Sequence, residues 1–138
     1  MNLLTPKEMA SLLSYGHTFF EYGQNDKAKT IFNGVLLFDP TNAYAHAMLG
    51  AMEQKASNYT QAIEHYSHSI EHDGRNTTTL TNRGECYLNL GRFEDAAKDF
   101  KAAMQLDPNG TDSAAVRARF LTSLSLEALK FTKEQFTS

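Results

Sequence analysis

The sequence predicts an all-α fold: three helix–turn–helix units stacked as a solenoid and closed by a C-terminal capping helix. Three observations predict it. The chain repeats with a period of 34 residues, in register, through Gly16, Gly50 and Gly84, Ala28, Ala62 and Ala96, and the rings Phe32, Tyr66 and Phe100. A turn position closes each copy at Pro40, Gly74 and Pro108. After the third copy comes one further amphipathic stretch, about 111–131, with no partner helix behind it. The 138 residues are read as a single domain, with repeats at about 9–42, 43–76 and 77–110.

Each element has a local reason. Thr5-Pro6-Lys7-Glu8 opens the first helix, with Thr5 as cap, Pro6 at the first helical position and Glu8 completing a capping box. That helix runs to about Tyr22 and stops at Gly23. Its partner begins near Asn25 or Asp26 and ends before Asp39-Pro40. The second repeat places helices at about 42–55 and 58–72, with Asn58 as an N-cap. The third places them at about 77–90 and 92–106, broken by Gly91 and closed by Asp107-Pro108. The recurring glycines are expected where two helices of a repeat cross closely, with Ala28, Ala62 and Ala96 as small faces opposite. Phe32, Tyr66 and Phe100 are expected to fill the space between repeats, because one repeat cannot bury its apolar face alone. In the capping helix, Val116, Phe120, Leu121, Leu124, Leu126 and Leu129 are expected to cover the third repeat, with Arg117, Arg119 and Lys130 at wetter positions.

Composition narrows the function. A hydrophobic share of 41% and a charged share of 21% suit a folded chain, and the net charge of −3 argues against a nucleic-acid binder. No apolar run reaches the roughly 20 residues of a membrane helix. The N-terminal residues lack the basic and apolar regions of a secretory signal and are not read as one. Cys86 is the lone cysteine, which rules out an internal disulfide. The Asn-x-Thr triplets at Asn58, Asn76 and Asn109 read as turn and cap residues rather than glycosylation sites.

No catalytic constellation is present. His65, His68 and His72 share a helix, but no cysteine or carboxylate completes a ligand set, so they read as a solvated face. Cys86 reads as a buried hydrophobe. Glu94, Asp95, Lys98 and Lys101 read as surface pairing along a helix. Neither an enzyme nor a cofactor nor a metal is expected.

The 34-residue period is the signature of the tetratricopeptide repeat, whose usual work is to hold another protein. Stacked repeats curve, and the first helix of each lines the inner surface. Counting from Met9, Ala43 and Thr77, the second, fifth, ninth and twelfth positions face that groove. They are Ala10, Leu13, His17 and Phe20, then Tyr44, Ala47, Ala51 and Gln54, then Thr78, Thr81, Glu85 and Leu88, to which the cap adds Ala115 and Arg119. Small residues beside large rings make pockets suited to an extended peptide with a few apolar anchors. Repeat proteins that grip acidic heat-shock tails place basic and amide donors at fixed groove positions. Here those positions hold Leu13, His17, Met48, Thr78 and Asn82, which do not supply the charge-assisted donors a carboxylate needs.

Several segments resemble the tetratricopeptide chaperones of translocator proteins in bacterial type III secretion. Tyr22-Gly23-Gln24-Asn25-Asp26-Lys27-Ala28 with Phe32 is similar to that family's first turn and second helix. Leu49-Gly50-Ala51-Met52-Glu53-Gln54 resembles its Gly-Ala-x-x-Gln stretch, and Glu85-Cys86-Tyr87-Leu88 its Glu-Cys-x-Leu run. Val116-Arg117-Ala118-Arg119 with Leu126-Glu127-Ala128-Leu129 resembles its closing helix. The resemblance implies a cytoplasmic chaperone that keeps a membrane-inserting secretion substrate soluble and unassembled until export. It also implies binding of a Pro-x-Leu-x-x-Pro-like segment in a concave groove. Tyr44, Ala47, Ala51 and Gln54 would form the central pockets, with Leu13, His17, Phe20, Thr81, Glu85 and Leu88 around them. The implied partner is a secreted translocator, with a homodimer as a further possibility. Family members usually carry a longer N-terminal pairing arm, whereas five residues precede the first helix here. The alternatives are a co-chaperone for a needle or filament subunit, and a general interaction scaffold.

Overall fold

A computed structural model describes residues 4–137, and every described regular element is helical. The sequence-based reading of residues 1–3, as part of an N-terminus without a signal pattern, lies outside the described residues. Seven helices follow in order: α1 (Pro6–Glu21), α2 (Asn25–Phe38), α3 (Ala43–Lys55), α4 (Tyr59–His72), α5 (Thr77–Asn89), α6 (Phe93–Gln105) and α7 (Ser113–Thr137). They form two compact units, Met1–Gly74 with the first two repeats and Arg75–Ser138 with the third repeat and α7.

The repeat is written into the helix ends. Asn42 and Asn76, one period apart, each accept a backbone N–H three residues on, at 2.9 Å from Ala45 and 3.0 Å from Thr79. Thr5 and Glu8 form the expected capping box, both bonds at 3.1 Å. Asn58 stands at the N-cap of α4 but its side chain does not cap; its amide donates to Glu53 at 2.9 Å.

The first helix of each repeat closes in one way. Gly23, Ser57 and Gly91 have φ of 75°, 63° and 73°, the left-handed turn that reverses the chain into the second helix. In each, the next N–H reaches back to the carbonyl five residues earlier: Gln24 to Phe19, Asn58 to Glu53 and Arg92 to Tyr87, all at 2.8 Å. Two of the three turns use glycine, and the third forces a serine into that region.

The large rings also pack within their own repeats. A Cβ placed on Gly16 would lie 2.7 Å from Phe32, one on Gly50 2.7 Å from Tyr66, and one on Gly84 2.4 Å from Phe100. Each ring therefore fills the space over the glycine of its own repeat and locks that repeat's two helices together, and Phe32 also reaches the next repeat, as expected, at Tyr44. All three rings are essentially fully buried. In the N-terminal unit Phe32 joins Ala28, Val35, Ala45 and Leu49, with Leu13, Phe20, Met48 and Met52 packed partly buried against them.

The capping helix also departs from expectation. Asp112 caps it at 3.0 Å to the Ala115 N–H, and it begins at Ser113 and runs on to Thr137 rather than ending near 131. Its inner face is Ala114, Ala115, Ala118 and Ser125, with Leu121 and Thr122 half-buried. Val116, Phe120, Leu124, Leu126 and Leu129 are exposed, Phe120 by 62%. The cause is register: at roughly 100° per residue, Val116 and Phe120 face away from Ala118. Small residues let α7 lie close on α5 and α6, and Leu121 is the one large side chain of the expected set that turns inward.

Candidate functional site

The face expected to bind peptide divides by unit. In the N-terminal unit, α1 contributes Leu13, His17 and Phe20, and α3 contributes Tyr44, Ala47, Ala51 and Gln54. On α3 these four recur at helical spacing along one side. Leu13 and Phe20 are half-buried against the unit's core, and the Lys55 ammonium sits 5.4 Å from the Phe20 ring centre. Ala10 is exposed at the start of the same face.

Tyr44 is the fixed point of this surface. It is 41% exposed, its ring meets Phe32 edge-on at 6.1 Å, and its hydroxyl lies 2.9 Å from His17 Nδ1. The other imidazole nitrogen, Nε2, donates to Glu21 at 2.8 Å, so in the neutral ring Nδ1 accepts from the Tyr44 hydroxyl. The chain Glu21–His17–Tyr44 thus joins α1 to α3 and holds an aromatic ring at the surface. Burial, then the charge of Glu21, keeps the Tyr44 phenol above its ordinary value and hence protonated. At the far end of α3, Gln54 Oε1 accepts from Tyr66 at 2.7 Å, so the ring that fills the Gly50 notch also orients the amide.

The C-terminal unit keeps only part of its expected set. Thr81 is fully buried and donates to the Ala114 carbonyl at 3.1 Å, so it serves the α5–α7 packing and offers no surface to a peptide. Ala115 is fully buried for the same reason. Arg119 donates to the Asp107 carbonyl at 2.6 Å, tying α7 to the preceding loop instead of facing a ligand. Glu85 and Leu88 remain accessible, and with Asn89 and Leu121 they line a shallow cavity of about 260 Å³. The sequence reading missed Leu121 there because its place depends on how α7 rotates. Glu85 sits 2.8 Å from Arg117 Nε as an ion pair, off the line of a hydrogen bond, while Arg117 donates to Asn82 at 2.7 Å. Burial raises the Glu85 carboxyl above its ordinary value and Arg117 works against that.

The remaining candidates for chemistry have structural explanations. Cys86 is buried, and its thiol is pushed up to about 12 by burial and then by Glu85, so it is protonated at neutral pH. Asp95 pairs with Arg92 at 2.8 Å. His65 and His68 face His46 of α3 rather than forming a set with His72. Among the described residues, no group of three or more His, Cys, Asp or Glu is arranged to hold a metal, and no helix is long and apolar enough to cross a membrane.

Residues 78–109 match the tetratricopeptide repeat family. That stretch is the α5–α6 helix pair of a chain whose described elements are all helical. In structure the chain is similar to type III secretion translocator chaperones. PcrH of Pseudomonas aeruginosa, solved with the chaperone-binding region of PopD, is 25% identical, with 93% of this chain and 98% of that one covered and a TM-score of 0.83. The translocator chaperone SycD of Yersinia enterocolitica shares the fold at a TM-score of 0.83 and 23% identity, over 96% of this chain and 90% of that one. Among curated proteins, the Hsp70-Hsp90 organizing protein of Triticum aestivum is 29% identical over 94 residues, which is 68% of this chain but 16% of that protein. The chain thus spans a small part of that relative's length.

Proposed function

We propose that this protein is a cytoplasmic chaperone of type III secretion, which binds an extended segment of a translocator and keeps it soluble and unassembled before export. The observation that carries the reading is the surface of α1 and α3. A half-exposed, hydrogen-bonded Tyr44 stands beside the small side chains of Ala47 and Ala51, between the anchored His17 and Gln54. A ring next to two alanines leaves room for an apolar side chain, with Leu13 and Phe20 as further apolar walls. The fold-wide match to PcrH in complex with part of PopD supports a secreted partner of the same kind. Glu85 and Leu88 form a second contact set in the proposal; Thr81 leaves it because it is buried.

The curated relative raises the rival occupant, an acidic heat-shock tail. Two of the five positions that would grip such a tail, Leu13 and Met48, are apolar and packed partly buried against the core. Of the others, His17 is engaged by Glu21 and Tyr44, and Asn82 by Arg117. None of the five positions holds a lysine or arginine, so they bring no fixed positive charge to a terminal carboxylate.

The test is an anisotropy titration with a labelled Pro-x-Leu-x-x-Pro peptide on wild type and on Ala51→Phe, which puts a large ring on the α3 face between Ala47 and Gln54. Saturable binding by wild type, lost in the variant at unchanged helix content, supports the reading. Equal affinity of the two proteins would overturn the site, and no binding by either would overturn the translocator reading.

A further inference from the structure

Three histidines meet where α3 packs on α4. The His46 ring of α3 stacks on His68 of α4 at 5.1 Å between centres and lies 6.0 Å from His65, also of α4. His46 Nε2 is 3.0 Å from the Pro40 carbonyl, which can only accept, so Nε2 carries the proton and Nδ1 is bare in the neutral ring. That His46 Nδ1 is buried and has no hydrogen-bond partner, and the same holds for His65 Nδ1. Bare, these atoms are tolerable acceptors; protonated, they become buried donors with nothing to receive them, each on a cation facing its neighbours' rings.

We propose that His65, packed against the rings of His46 and His68 with a buried and partnerless Nδ1, makes the α3–α4 packing of the N-terminal unit an acid-sensitive joint, which holds while His65 is neutral and loosens as it takes up a proton. The charged and titratable groups around His65 are His46 and Glu53 from α3 and Glu64 and His68 from α4. Glu53 is shared with Lys29 of α2, 3.6 Å away, and with the Asn58 amide, so its charge is partly committed elsewhere. Burial first, then His46, holds His65 below the ordinary imidazole value of 6.5, with the two glutamates opposing and His68 assisting. The sign follows. A base whose folded value lies below its unfolded one contributes its full stability above pH 6.5 and loses it as the pH falls from there towards the folded value. Each unit of separation makes opening of the joint tenfold more favourable at the acid end.

The C-terminal unit holds none of the five histidines, and the shift of its Glu85, raised above 4.5 by burial, has the opposite sign. It therefore serves as an internal reference. The joint stands on its own geometry, while any release of a bound segment that it causes rests on the chaperone reading above.

The experiment is amide hydrogen exchange on the intact chain from about pH 7.5 to about pH 5.5, corrected for intrinsic exchange, alongside an NMR titration of the His65 ring. Expected are a loss of protection in α4 as pH falls, steady protection in α6, and a His65 midpoint below 6.5. His65→Gln with His46→Gln removes the pH dependence of α4, whereas His72→Gln retains it. A His65 midpoint at or above 6.5, or α4 protection that does not fall with pH in wild type, overturns the joint even where the double variant fails to fold. Peptide affinity over the same range separates the two ideas, since a joint that opens without weakening the peptide leaves the inference standing and removes only its link to release.

Discussion

His65 and Asp99 occupy the same repeat position, one period apart, one in each unit, and the two units treat it in opposite ways. Asp99 is almost fully buried and takes two bonds from Arg83, 2.8 Å from Nε and 2.7 Å from Nη2. That fork-to-fork geometry satisfies a buried carboxylate with the residue best shaped for it. The position one period before Arg83 is Leu49, so His65 has no partner like Arg83 across the helix pair, and burial and His46 outweigh Glu53 of α3 in favouring its neutral form. The same backbone can therefore carry a charge-paired joint or a charge-averse one, and the choice lies in two side chains.

The largest expected effect tests that contrast. Asp99→Ala leaves the mostly buried Arg83 guanidinium without its carboxylate and should cost about 3 kcal/mol of stability, the low end for breaking a buried pair. His65→Ala removes a neutral, half-buried ring and should cost about 1 kcal/mol. Urea unfolding at neutral pH measures both, and equal losses would show that the Arg83 pair does not distinguish the units.

A smaller effect probes what the units share. Gly84→Ala would put a methyl 2.4 Å from Phe100, and the ring must move because the glycine backbone cannot. Overpacking of this kind costs about 2 kcal/mol. Phe100→Leu in the Gly84→Ala background should recover part of it by vacating that space. A double variant no more stable than the single one would mean that the ring is not what excludes the methyl.

Much of this was legible in the sequence, and the limits have a physical form. A period states which residues are equivalent, so Gly16, Gly50 and Gly84 marked close crossings and Gly23 and Gly91 marked turns. It does not state what an equivalent residue touches. Phe32, Tyr66 and Phe100 were assigned to the gaps between repeats because a large ring suits either cavity. The geometry over each glycine adds the contact inside the repeat, and Phe32 serves both places. The capping helix is where it was expected, but apart from Leu121 its inner face was misassigned, because it has two apolar stripes and size pointed to the wrong one. Once Ala114, Ala115 and Ala118 face α5, Thr81 is sealed beneath them and leaves the candidate site. Leu13, His17, Phe20, Tyr44, Ala47, Ala51 and Gln54 escape this, since no capping helix lies on α1 and α3 within their own unit.

The smallest expected effect concerns the one turn that breaks the repeat's own rule. Gly23 and Gly91 reverse the chain at φ of 75° and 73°, and Ser57 does the same at 63° with a Cβ attached. Left-handed backbone costs a residue with a Cβ about 1–2 kcal/mol relative to glycine, while glycine's extra freedom in the unfolded chain costs about 0.5–1 kcal/mol. The first term is the larger. The turn also keeps both of its reversing bonds, Ser57 N–H to Gln54 at 2.9 Å and Asn58 N–H to Glu53 at 2.8 Å, neither of which uses the serine side chain. Ser57→Gly should therefore stabilise the N-terminal unit by about 0.5–1 kcal/mol, whereas Gly91→Ser should destabilise the C-terminal unit by a similar amount. Reciprocal shifts in urea midpoint would show that the two turns obey one rule. A loss of stability in Ser57→Gly would mean that the serine hydroxyl contributes more to the turn than its strained backbone costs.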